Sequence, residues 1–340
     1  MIVELKRGGI CSTDVAIYDG SYQGRRPLSY PSMLGHEAAG IVVESAPDVN
    51  IAPGTRVGLQ VVWGNPHSVE SLQGRENLDP DWIHIGASAL GGTFADRIAM
   101  PAEHLVLIPD VVDWDTAALL EPLALAAHAI DLVNVRPGET FVAVGPGPFV
   151  LLMIQIARAA GASRVVAIGL AEVDRARLAV ARHVGADATV EFSGDADRTV
   201  HDVREALGGM GGDTVVDGGG TAESTPLALE LAAAGGRVAL FGFTRTAEIE
   251  PLRQVIRKGL SLYGVSVATR RHYGTALRLI EREAVCPREI VSHRLPVEQV
   301  EQGIRLVQQR LASKVILNYG AEEDPAVTSH DGGGPDARIR

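Results

Sequence analysis

Four side chains are of the types that hold a transition metal: Cys11 in GICSTD, His36 and Glu37 in GHEAAG, and Glu121 in LLEPLA. Thiolate, imidazole and carboxylate are the ligands from which catalytic zinc sites are built. Taken singly, each has an ordinary reading too, since a lone cysteine serves as a small hydrophobe and a lone histidine as a satisfied core or surface residue. A second constellation is VAVGPGPFV, Val142 to Val150. There Gly145 would turn the chain tightly and Gly147 would let a pyrophosphate approach backbone amides at a helix N-terminus, with Pro148 at the helix start. The third glycine of G-x-G-x-x-G falls at Val150, so the fingerprint is incomplete. Val150 predicts a helix and strand set further apart, or weaker nucleotide binding.

The flanking elements decide how much these residues mean. Up to about Asp110 the chain runs as short β-rich segments, IVVES, TRVGLQVV, FADRIAM and HLVLIP, broken by glycine and proline turns, as in an antiparallel or barrel-like domain. WDTAALLEPLALAAHAIDLV then reads as a linking helix with Asp113 or Asp115 as N-cap. From Thr140 strands and helices alternate through RVALFGF, which predicts a parallel sheet wound on both faces and supports a dinucleotide at the glycine turn. The acid that would accept the adenosine ribose is missing from the end of the second strand, which closes on Gly169; Glu172 and Asp174 follow, then Arg175 and Arg177. The arginines suit a 2′-phosphate or the solvated face of a helix equally, so NAD and NADP both remain open. The tail from Gly320 to Arg340 lacks apolar periodicity and reads as disordered.

Composition narrows the function classes. With 31 Lys and Arg against 42 Asp and Glu, the net charge of −11 argues against nucleic acid or an anionic membrane as partner. Residues 46% hydrophobic and 21% charged describe a globular chain of about two domains. No apolar run reaches membrane-spanning length and no signal peptide is evident, so a cytoplasmic location is expected. Two cysteines, Cys11 and Cys286, are too few for a disulfide framework.

GICSTD, GHEAAG, EPLA and the glycine turn occur in the order and approximate spacing of one family, and the chain from about Ile2 to Tyr319 resembles the zinc-dependent medium-chain dehydrogenases, particularly the polyol branch that includes sorbitol and threonine dehydrogenases. The resemblance implies one catalytic zinc on Cys11, His36 and a carboxylate, either Glu37 or the more distant Glu121. It implies that Thr13 begins a proton relay, although a helix-start cap fits its spacing as well, and that Asp14 orients the zinc-bound histidine. Ala16 stands where relatives often carry a relay histidine. The stretch from Trp63 to Gly86 lacks the four cysteines with which relatives often bind a structural zinc, so none is expected, and His67, Asp79 and His84 are read as ordinary loop residues. Relatives usually carry further barrel ahead of the first strand, and an edge left uncovered there would need a partner. Lys314 in SKVIL resembles a family lysine, with a solvated charge as the alternative. Cys286 and His128 are expected to be structural.

These readings give an α/β chain: a GroES-like β-barrel catalytic domain over residues 1–120 and 267–320, and a doubly wound Rossmann domain over 121–266. The implied activity is hydride transfer between a secondary alcohol, in a polyol, sugar or cyclitol, and NAD or NADP, in a homodimer or homotetramer joined near Ser261 to Val267. The rivals are a zinc-free quinone-type reductase and a non-catalytic nucleotide-binding sensor or scaffold of the same fold.

Overall fold

The computed structural model describes residues 1–22, 28, 30–87, 91–242 and 252–320. The tail predicted to be disordered lies outside the described residues, apart from Gly320. Among the described residues no helix is long and apolar enough to cross a membrane.

The first half forms strands β1 (Ile2–Gly9), β2 (Glu37–Glu44), β3 (Arg56–Leu59), β4 (Val62–Trp63), β5 (Ile83–His84), β6 (Arg97–Ala99) and β7 (Leu105–Leu107). Helix α1 (Ser12–Tyr18) follows β1, and the short α2 (Val69–Leu72) lies between β4 and β5. The linking segment is two helices, α3 (Trp114–Ala118) and α4 (Leu120–Val133), rather than the one expected. Asp113 caps α3 by accepting from the Thr116 amide at 2.8 Å, and the break at Leu119 puts Glu121 in the first turn of α4. Helix α4 is buried on nearly every face, as a helix sandwiched between two sheets must be.

The alternating part comprises β8 (Thr140–Val144), α5 (Pro148–Ala159), β9 (Arg164–Leu170), α6 (Arg175–His183), β10 (Ala188–Phe192), α7 (Ala196–Ala206), β11 (Gly212–Asp217), α8 (Ser224–Leu231), β12 (Ala232–Leu240), α9 (Leu252–Lys258) and β13 (Ser261–Gly264). Its six strands pair in parallel in the order β10-β9-β8-β11-β12-β13. Counted from β8, that is the 3-2-1-4-5-6 order of a dinucleotide fold, whose ligand crevice opens where the order reverses, between β8 and β11. All five residues of β8 are buried, as expected for a central strand covered on both faces. One boundary differs from the sequence reading: Ala232 to Gly236 extend β12 instead of ending α8, with Ala232 already paired to Gly212 of β11 and a register shift before the pairing resumes at Arg237.

The chain then returns through α10 (Arg270–Glu281), β14 (His293–Pro296), α11 (Val300–Gln308) and β15 (Val315–Asn318). Strand β15 pairs antiparallel with β1, so the last strand joins the first sheet, in the order β14-β15-β1-β2-β3-β7 with β6 also on β1. Cys11 and Lys314, far apart in sequence, thereby stand at the same end of this strand pair.

Candidate metal and dinucleotide site

Strand β1 runs out at Gly9 and α1 begins at Ser12, so Cys11 falls at the N-cap and Asp14 at the third helical position. The Asp14 carboxylate is fully buried and binds both ligand-bearing segments. Its Oδ2 accepts from the Cys11 amide and its Oδ1 from the Gly35 amide, each at 2.9 Å, and Oδ1 lies 3.5 Å from Nδ1 of His36. A reciprocal cap of this kind sets the helix start and, here, the approach of the β2 loop. Burial opposes the charge on Asp14, but His36 and the two amides outweigh it and hold the carboxyl low. Burial likewise opposes a charged His36, but the charges of Asp14 and Cys11 raise its pKa well above the usual histidine value. Thr13 is half-buried in the first turn, and the cap there belongs to Cys11 and Asp14 rather than to Thr13.

Glu37 opens β2 directly after His36 and is 2% exposed; its Oε2 pairs with Nζ of Lys314, itself 2% exposed. Lys314 also donates to the Ile10 carbonyl at 3.0 Å. The solvated reading of Lys314 is therefore overturned: it directly precedes the three buried apolar residues that open β15, an interior strand, and is buried with them. Burial disfavours its charge, but Glu37 and Cys11 more than compensate and raise its pKa. Glu121 is also buried, and burial pushes its carboxyl up to about 7, with Glu37 adding to the rise and His36 and Lys314 opposing it.

One donor atom each from Cys11, His36 and Glu37 lies within 4.8 Å of the others; Glu121 falls outside this set. A zinc about 2.0–2.3 Å from each of three donors requires separations of this order. The donors suit it chemically as well. Nδ1 of His36 faces Asp14 Oδ1 at 3.5 Å without a hydrogen bond, which leaves Nε2 for a metal, and Glu37 Oε2 has no hydrogen-bond partner beyond its ion pair with Lys314. The residues present fit a zinc ion.

Sequence reasoning missed one neighbour. His84, read as a loop residue, is buried, with its ring 5.0 Å from that of His36, edge to face, and 5.6 Å from that of Trp82. Its Nδ1 lies 2.6 Å from the Ile85 carbonyl, and burial, helped by His36, lowers its pKa to about 3, so the ring is neutral. Its place between Ile83 and Ile85 was the available signal. Asp79 is not an ordinary loop residue either: it is 1% exposed and accepts from the amides of Asn65 at 3.0 Å and Asp81 at 2.7 Å. His67 is exposed, as expected.

At the glycine turn, Gly145 has φ +80°, and a Cβ there would come within 2.7 Å of the Gly219 amide nitrogen. Gly147 is the N-cap of α5, a Cβ on it would meet open space, and Pro148 is the first helical residue. Val150 packs where a Cβ on Gly218, just past β11, would stand, with its Cγ2 in that space. The glycine missing from the turn is thus supplied by the neighbouring strand end. The strand runs one residue past Gly169, to the exposed Leu170, and at Gly169 itself a Cβ would lie 2.8 Å from Cβ of Asp174 and 3.0 Å from Cγ of Pro146, so that position has no room for an acid. Asp174 folds back instead, accepting from the Leu170 amide at 3.0 Å. The two arginines part company. Arg175 is 81% exposed, 3.6 Å from Glu191, whereas Arg177 is enclosed and donates to the Ala312 carbonyl, which corrects both readings of Arg177, as a 2′-phosphate partner and as a solvated helix face.

Comparison with known proteins adds three findings. Residues 1–110 match the alcohol dehydrogenase GroES-like domain and residues 150–282 the zinc-binding dehydrogenase family. The chain is 30% identical to an L-threonine 3-dehydrogenase of Anaeromyxobacter sp. (strain K), over 94% of this chain and 91% of the relative, and 27% identical to a probable D-xylulose reductase A of Arthroderma otae, over 93% and 89%. Its fold is similar to the crystal structure of a putative zinc-binding dehydrogenase from Sinorhizobium meliloti 1021 bound to NADP, with a TM-score of 0.81 and 30% identity, over 94% of this chain and 91% of the other.

Proposed function

The chain belongs to the zinc-dependent medium-chain dehydrogenases of the polyol and threonine branch, alcohol and polyol oxidoreductases that use NAD(P), and from that membership we propose that it oxidises a secondary alcohol reversibly at the Cys11, His36 and Glu37 cluster. The observation that carries this reading is the convergence of three unlike donor atoms within 4.8 Å. Cys11, His36 and Glu37 would hold the zinc, with Glu121, outside that set, as the alternative carboxylate. When bound, zinc supplies Lewis acidity toward the substrate oxygen and NAD(P) accepts the hydride.

The chain's own residues do the rest. Asp14 holds the imidazole of His36 and the Cys11 amide in register, so the donor set is formed before substrate arrives. Thr13 Oγ1, half-buried beside Cys11, takes the substrate hydroxyl proton, and with Ala16 in place of a histidine the proton passes from there to water. Gly145, Gly147 and Pro148 receive the pyrophosphate at the N-terminus of α5. With no space for an acid at Gly169 and Arg175 exposed beside it, a 2′-phosphate meets less repulsion than in an NAD-selective site, and NADP is the favoured cofactor. One zinc per chain, none of it structural, and assembly through the edge strand β13 complete the proposal; a zinc-free quinone-type reductase would have no use for the metal cluster.

Metal analysis of the purified chain, with secondary alcohols, polyols and L-threonine offered alongside NAD+ or NADP+, tests it. About one zinc per chain and reduction of cofactor are expected. A chain that takes up no zinc when it is supplied and reduces neither cofactor would overturn the reading.

A further inference from the structure

Between α11 and β15 a single short segment touches both halves of the molecule. Arg310 leaves α11 with φ +58° and places Nη1 3.7 Å from Oδ2 of Asp174. Two residues on, the Ala312 carbonyl accepts from Nε of Arg177 at 3.2 Å and from Nη2 at 2.8 Å, while Nη1 of Arg177 lies 3.5 Å from Oδ1 of Asp174. Two residues further, Lys314 pairs with Glu37 and donates to the Ile10 carbonyl beside Cys11. Four Cα steps, at most about 15 Å, thus join the end of β9 in the nucleotide-binding sheet to the metal cluster. The side chain of Arg177 is 11% exposed, so its two bonds to one carbonyl compete little with water.

We propose that Arg177, in the nucleotide-binding half, is a positioning residue for the metal cluster in the other half: by gripping the Ala312 carbonyl it sets the path of the segment that delivers Lys314 to Glu37. This rests on the reading of Cys11, His36 and Glu37 as zinc ligands. The left-handed backbone at Arg310 is a conformation that a non-glycine residue adopts at a cost, and the Asp174 carboxylate shared by Arg310 and Arg177 offsets it. The segment therefore depends on a partner outside its own sheet. Nothing about Arg177 bears on the metal directly; it acts only through residues 312–314.

Zinc release from the intact, zinc-loaded chain to a chromogenic chelator tests this. Arg177→Ala is expected to speed release about 10- to 100-fold, the range seen when a partner behind a metal ligand is lost. Arg177→Lys, which keeps a donor for Ala312, restores part of the retention and serves as the readout if the alanine variant folds poorly. In a Lys314→Met background, Arg177→Ala should add little, because the path it controls no longer ends on Glu37. Release at the wild-type rate in Arg177→Ala, or the same acceleration in both backgrounds, overturns the positioning role while leaving the zinc reading intact. A wild-type chain that holds no zinc overturns both.

Discussion

The first sheet and its loops contain two buried carboxylate centres that satisfy their charge in opposite ways. Around Asp79, in the stretch where relatives often bind a structural zinc, backbone amides of Asn65 and Asp81 and the Ser71 hydroxyl at 3.5 Å take up the lone pairs, and a cation would have little left to bind. At Glu37 the compensation is a single lysine, and a thiol and an imidazole nitrogen stand alongside with capacity to spare. The lesson is that carboxylate burial alone does not mark a metal site. Uncommitted donor capacity does, and Asp14, with an amide on each oxygen and Oδ1 turned to His36, supports rather than ligates.

The same contrast runs through the histidines. His36, beside Asp14 and Cys11, is raised in pKa, whereas His128 on α4, buried 3.4 Å from Nε2 of His272 on α10, is lowered to about 4, chiefly by burial. The charges of neighbouring groups decide the first histidine and burial decides the second, even with Asp131 3.5 Å from Nε2 of His272.

The sharpest way to break the comparison is Cys11→Ser, which should abolish zinc retention and turnover with the fold kept, as metal analysis and circular dichroism would report; a variant that keeps its zinc would remove the thiolate from the ligand set. Next in size is Lys314→Met, which leaves Glu37 as an uncompensated buried charge. Urea unfolding of the metal-free protein should show a loss of about 3–5 kcal/mol, and an unchanged midpoint would mean that the lysine does not compensate Glu37. A smaller effect follows from His128. Its folded value lies below that of the unfolded chain, so the unfolded state takes up the proton first, and stability falls as pH drops from about 6.5 toward 4 by up to about 1.4 kcal/mol per pH unit. His128→Gln should flatten that fall by one histidine's share, and an unchanged slope would mean that His128 does not stay neutral. Smallest and most local is Asp79→Ala: faster proteolysis between Asn65 and Asp81 with zinc content unchanged, whereas lost zinc would mean the two centres are not independent.

Much of this was legible in the chain itself. The alternation after Thr140 predicted the parallel sheet because apolar period and glycine turns are local properties, and GICSTD, GHEAAG and EPLA named the candidate ligands by type and order. Burial partners were less accessible. Lys314 and His84 looked ambiguous because one charged or polar residue among apolar neighbours reads alike whether it points to solvent or into a cluster assembled from distant segments. Val150 looked like a defect because the residue that accommodates it, Gly218, lies on another strand.

The sequence by itself determined the element types, the order of the motifs and the types of candidate donor, a thiolate, an imidazole and a carboxylate at Glu37 or Glu121, since these depend on residue identity and short-range periodicity. Only the tertiary structure decided that Lys314 pairs with Glu37, that Arg177 holds Ala312 rather than standing free, and that Asp79 is saturated by amides. Those outcomes depend on which donors and acceptors long-range strand pairing brings within about 3 Å of one another, and spacing along the chain does not encode that distance.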